Sequence, residues 1–184
     1  MADVVKTSAL SGLLANSSAA SVRGFHVNRA IEFYKKDKIY FALAKESEWE
    51  TSDPPSPDYN DSLEDPWGWK RVETKYLVVP DEDYGTILYQ NRKFRIVTEA
   101  QARQDGARWV YCMSYINYDE LPFKTYHQLG LVTNLTVKEG IPDGTYALVP
   151  SQVESQGDLE ILNNRRGVGR EPDMREQIAI IIEF

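Results

Sequence analysis

Apolar positions alternate with period two along most of this chain, and the clearest case opens its organising stretch, residues 38–57. Ile39, Phe41 and Leu43 fall on one face and Tyr40, Ala42 and Ala44 on the other, the pattern of a strand. The chain then leaves through Glu46, Glu48, Trp49 and Glu50 into Pro54, Pro55 and Pro57, residues that cannot donate to a ladder or extend a helix. The same periodicity predicts strands over 72–79, 86–90, 93–98, 107–116, 126–138 (with a bulge at Gly130), 145–150 and 158–162. A last strand over 177–184 has Ile178, Ile180, Ile182 and Phe184 on one face. The run 107–116, ARWVYCMSYI, is apolar on both faces and predicts a central strand.

Two short helices interrupt the strands. One is predicted from Asn28 as N-cap, with Ile31 and Tyr34 an i, i+3 pair. The other begins at the capping box Thr98-Glu-Ala-Gln101 and stops at Asp105-Gly106. The expected fold is therefore mainly β (α+β with two short helices), an antiparallel β-sandwich-like single domain over 25–184. Residues 1–24 form an Ala/Ser-rich N-terminal arm whose apolar part includes Leu10, Leu13 and Leu14. Residues 163–173, with Arg165, Arg166 and Arg170, read as a polar Gly/Arg loop.

Composition changes this picture only at a few points. The chain has 184 residues, 42% hydrophobic, with eleven Tyr and four Trp. Large amphipathic rings favour strands and interfaces. Net charge is −7 and unevenly spread. Residues 1–38 carry six basic and three acidic groups (+3), residues 39–83 four and twelve (−8), and residues 84–184 eleven and thirteen (−2). Such a balance disfavours nucleic acid, which requires a basic face. No apolar run approaches the ~20 residues of a membrane span. The single cysteine, Cys112, reads as a buried free thiol.

Enzyme chemistry is not legible. His26 and His127 stand in no metal-ligand spacing, and no phosphate loop, nucleophile elbow or dinucleotide fingerprint occurs. Asp81-Glu82-Asp83 and the 46–65 carboxylates are open to a cation-site reading or to plain solvation. The three arginines are open to an interface or to a solvated loop. Neither a cofactor nor a small-molecule substrate is expected. What remains is the loop 45–70, long for a compact domain and therefore functional or disordered. Its three tryptophans, Trp49, Trp67 and Trp69, favour order.

Collinear with these features, the chain resembles a known family. The matching residues are the strand IYFALAK leading to Trp49, then Pro54, Pro55 and Pro57, Trp67 or Trp69, and Gly106-Ala-Arg-Trp109-Val-Tyr111-Cys112. They continue with Tyr126-His-Gln-Leu-Gly-Leu-Val-Thr133-Asn134, Asn164-Arg165 and the closing strand to Phe184. Together they resemble the baseplate wedge subunit, gene product eight, of contractile-tailed bacteriophages of the T-even type, without its large middle insertion. The resemblance implies a β-rich, non-enzymatic virion protein of the tail baseplate, assembled in the host cytoplasm. It would be a homodimer contacting other tail baseplate proteins. On this reading the interface residues are Leu10, Leu13, Leu14, Trp49, Pro54, Pro55, Trp67, Trp69, Arg165, Arg166 and Arg170. Two alternatives stay open: a neck, head-completion or tail-terminator protein, and a carbohydrate-binding module stacking sugars on exposed Trp49, Trp67 and Trp69.

Overall fold

The computed structural model describes residues 22–57 and 62–184. Helix α1 (Arg23–Lys35) leads into β1 (Ile39–Ala44), β2 (Gly68–Arg71), β3 (Thr74–Pro80), β4 (Ile87–Tyr89) and β5 (Arg92–Val97). Helix α2 (Glu99–Asp105) precedes β6 (Trp109–Ile116), β7 (Thr125–Thr133), β8 (Thr136–Val137) and β9 (Ala147–Leu148). A 3-10 turn (Pro150–Gln152) then enters β10 (Val153–Ser155), β11 (Asp158–Gly169) and β12 (Glu176–Glu183). The strands form two five-stranded sheets, ordered β11-β7-β1-β2-β9 and β12-β6-β3-β5-β4, with a β10-β8 ribbon. The pairings are antiparallel throughout. The expected mainly-β sandwich with two helices is the fold observed.

Strand β1 is the hub, and all six of its residues are buried. Ile39, Phe41 and Leu43 enter the main core with Leu77, Val110, Leu131, Ile178 and the helix residues Ala30, Ile31 and Phe33. Tyr40 and Ala42 enter a second core with Trp69, Val132, Leu148 and Val153, beneath the ribbon. A strand buried on both sides must lie inside its sheet and between layers, and β1 does both.

The structure corrects four local readings. Helix α1 starts at Arg23, with Val22 as N-cap and no side-chain cap, so it runs through the expected division at residues 24 and 25. Its buried stripe Val27, Ala30, Ile31 and Phe33 fixes it by packing, which outweighs the capping preference of Asn28. Asn28 instead accepts a hydrogen bond from Arg103 Nη1 at 2.7 Å. The strand expected over 126–138 is broken at Asn134, whose φ is 56°, into β7 and β8. Gly130 is not a bulge: it pairs in register with Ala42 and Leu162. A Cβ there would stand 3.0 Å from both Leu159 and Leu63, so its bareness serves close packing. Finally, the expected 163–173 loop is mostly strand. β11 runs to Gly169, with register shifts at Leu159/Ile161 and Asn164/Val168. Periodicity failed there because bulges break it.

Thr98 and α2 follow the local signal closely. The Thr98 N–H donates to Gln101 Oε1 at 2.9 Å, Gln101 N–H returns a bond to Thr98 Oγ1, and Gly106 closes the helix at φ 73°.

Candidate assembly surface

The segment between β1 and β2 is tied at its base. Lys45 N–H donates to the Glu64 carbonyl at 2.7 Å and Trp67 N–H to that of Leu43 at 2.9 Å. Lys45 turns with φ 54° and Asp65 with φ 46°, so the chain leaves and re-enters the sheet at one point. Beyond that base the loop lies on β7 and β11. Trp49 donates from Nε1 to the Arg165 carbonyl at 2.8 Å and meets the His127 ring edge-on at 6.4 Å. The Lys45 ammonium stands 4.7 Å from its ring centre. Asn164 Nδ2 donates to the Pro55 carbonyl at 3.0 Å, and Arg166 pairs with Asp53 at 3.2 Å.

Beneath this clamp sits Gln128, fully buried. Its Oε1 accepts from Glu64 N–H at 2.7 Å and its Nε2 donates to Asn164 Oδ1 at 3.0 Å. One side chain thus joins the returning end of the loop to β11, and a buried amide so satisfied is a strong constraint on geometry. His127 Nδ1 lies 3.0 Å from the Lys45 carbonyl. Gly167 leaves room for that imidazole, since a Cβ there would sit 2.6 Å from His127 Nε2. An open cleft of 360 Å³ remains between Glu48–Ser52 and His127, Arg166 and Gly167. In the sequence His127 has no metal-ligand spacing and Gln128 no role of its own; two polar residues in the middle of the apolar strand Thr125–Thr133 were the available signal.

The expected interface residues separate into groups. Pro55 and Arg166 are exposed, and Trp49, Pro54 and Arg165 are half-buried along the same clamp. Trp67 and Trp69 are corrected: at 6% and 1% exposed they belong to the two cores, because both sit where the chain re-enters the sheet. A sugar platform of three tryptophans is thereby lost. Arg170 is corrected as well. It is buried, donates to the carbonyls of Leu121, Pro122 and Asn117, and lies 3.7 Å from Glu176. It supports the 117–122 turn from inside. Leu10, Leu13 and Leu14 lie outside the described residues.

Titratable groups are spent on structure. Lys70, at 1% exposed, pairs with Glu120 at 2.7 Å and Glu73 at 2.9 Å. Burial alone would push the Glu120 carboxyl up, but Lys70 and the Asn117 N–H hold it below the usual range. Burial likewise opposes ionisation of Glu160, and Lys36 with Thr133 outweighs it. Burial drives the Cys112 thiol up to about 12, which keeps it a packing group. Burial and the hydrogen bond to Glu176 push the Tyr126 hydroxyl well above its ordinary value. Asp81, the first residue of the candidate cation cluster, is occupied. Its carboxylate accepts the Tyr84 and Asp83 N–H groups and Arg95 Nε, which hold its pKa low. Among the described residues no group of three His, Cys, Asp or Glu is arranged to hold a metal.

These observations define a class: a β-sandwich scaffold that holds a proline-rich segment, residues 46–57, against one sheet edge. The chain matches the family described as "Baseplate wedge 3 tail fiber network component" over residues 18–184, and it belongs to that family. It is 32% identical over 158 residues to "Virion protein 3" of Enterococcus phage phiEF24C, an alignment covering 81% of this chain and 86% of that protein. The protein is a structural component of a phage virion, and its place is the tail baseplate.

Proposed function

We propose that this chain works in a contractile tail as a non-enzymatic wedge subunit, a homodimer joined to neighbouring baseplate proteins through the clamped loop. The observation that carries the reading is the loop itself. Trp49, Gln128 and Asn164 commit hydrogen bonds to fixing it, yet Ser52, Asp53 and Pro55 remain exposed on its outer side. A loop ordered before contact loses little conformational entropy when a partner covers it. The Asp53–Arg166 pair, about four-fifths exposed on both sides, contributes little to folding and leaves both charges open to a partner.

Phage particles assembled with a Pro54→Gly/Pro55→Gly chain test the proposal. The purified variant is expected to melt within a few degrees of the parent, while its copy number in isolated baseplates falls at least tenfold. Normal incorporation and normal infectivity of the variant would overturn the loop's role.

A further inference from the structure

Four strand edges border the two sheets, and three are protected in recognisable ways. β4 has three residues and β9 two. β11 is long but carries two register shifts and the charged Glu160, Arg165 and Arg166. Short length, bulges and charge are the devices that stop an edge from recruiting another strand. β12 is neither short nor bulged, and its charges stand only at its two ends, Glu176 and Glu183. It pairs with β6 through eight consecutive residues without a shift, and its interior, Gln177–Ile182, holds no charge and no proline. Among the described residues, no backbone hydrogen bond leaves its outer edge.

The sheet face beside this edge is equally unusual. An antiparallel sheet with one side on the core normally turns polar residues outward. Here the outward side carries the half-buried Trp109, Met113, Ala179 and Ile181, packed around Val78 and Tyr111, which are themselves buried. Edge and face together form one continuous apolar corner.

The occupant is indicated by the strand's own charges. A two-fold axis normal to the sheet keeps inner faces with inner faces, so one residue must oppose itself. Centring that axis on Ala179 sets Ile178 against Ile180 of the other copy and Gln177 against Ile181. It also places Arg175 opposite Glu183, twice, once on each side of the axis. Both residues are exposed and on the outward side, Arg175 over the Tyr115 ring at 3.9 Å and Glu183 beside Arg108. Centring on Ile180 or Ile181 opposes no opposite charges. Opposed pairs of this kind set register as well as adding stability.

We infer that two copies of this chain join β12 to β12 antiparallel about Ala179, making one ten-stranded sheet across the dimer. The inference rests on the homodimer proposed above and supplies its surface. Directly opposed antiparallel residues have Cβ atoms about 4.5–5.5 Å apart, close enough for engineered cysteines to bridge after slight adjustment. Cys112 is buried and does not compete. The full chain carrying Ala179→Cys, mildly oxidised, is expected to run almost wholly as a covalent dimer. Gln177→Cys, four residues out of register with itself, is expected to stay below a tenth cross-linked. Arg175→Glu is expected to weaken the dimer at least tenfold in sedimentation equilibrium without lowering the melting temperature.

If the unmodified protein sediments as a monomer at high concentration, self-association itself falls. If it is a dimer that Ala179→Cys does not bridge, or that Gln177→Cys bridges equally, only this surface falls. The same holds if another segment of the chain is found on β12 by cross-linking within one copy.

Discussion

Gly167 and Trp49 show what single positions do in this molecule. Gly167 falls in the stretch that the sequence predicts as a polar Gly/Arg loop, yet it sits in β11 against His127, which is itself buried and held to the Lys45 carbonyl. Gly167→Ala must displace that ring, and we expect a loss of about 1–3 kcal/mol in chemical denaturation; an unchanged midpoint would show that the ring moves freely. Trp49→Ala removes the Arg165 bond and the Lys45 contact at the loop but nothing from either core. Its expected effect is local: faster amide exchange over residues 46–57 by at least tenfold, with the central strands unchanged. Lys70 is the opposite case, a buried charge whose removal of one partner is costly. Glu120→Ala leaves it with Glu73 alone, and a destabilisation of about 2–4 kcal/mol is expected in urea unfolding. The aromatic residues were legible by type but not by role. Trp49, Trp67 and Trp69 look alike in sequence, and only their distance from the point of re-entry separates the loop anchor from the two core residues.

Elements that rest on local chemistry were the most legible. Thr98-Glu-Ala-Gln101 needs only its own residues to start a helix, and β1 and β12 show alternation that survives in the fold. The start of α1 lies six residues before the predicted one because its limits come from the stripe it buries, with no side-chain cap to mark them. β11 was missed beyond Leu162 because two bulges remove the period that identifies a strand. This miss matters for function, since Arg165 and Arg166 then stand on a structured edge that anchors the loop. β6 was legible as apolar on both sides, which predicts cover on both. The structure places one side in the main core, while on the other Trp109 and Met113 stay half-exposed around buried Tyr111 and join the open edge of β12.

At the scale of the whole molecule, carboxylates bind distant elements together. Glu120 reaches Lys70 across 50 residues, Glu160 reaches Lys36 across 124, and Glu99 reaches Lys35 across 64. Glu120, Glu160, Glu99 and Asp81 all have pKa values held below ordinary. A carboxyl whose folded pKa is depressed stabilises the fold above its unfolded value, near ~4, and loses that contribution as pH falls through the lower folded value. The melting temperature is therefore expected to be nearly level between about pH 8 and 5 and to drop below about pH 4. A melting temperature that holds to pH 3 in scanning calorimetry would contradict this account. The acid-sensitive pairs tie α1 to β11 and β2 to the 117–122 turn, so acid is expected to loosen both layers in one transition.

The sequence by itself determined the strand-rich class, the hub strand Ile39–Ala44, the α2 capping box, and where the loop begins, because each depends on residues within a few positions of one another. It also carried enough collinear identities to point to a phage baseplate subunit. The tertiary structure alone decided which tryptophans are buried, that Gln128 clamps the loop, that Arg170 turns inward, and that β12 is left as the open edge. Each of those depends on which strand lies next to which, and the neighbours that matter here, β1 with β7, β7 with β11 and β6 with β12, are separated by tens of residues. Local alternation says that a residue faces one side of a sheet; only the assembled sheet says what, if anything, is waiting there.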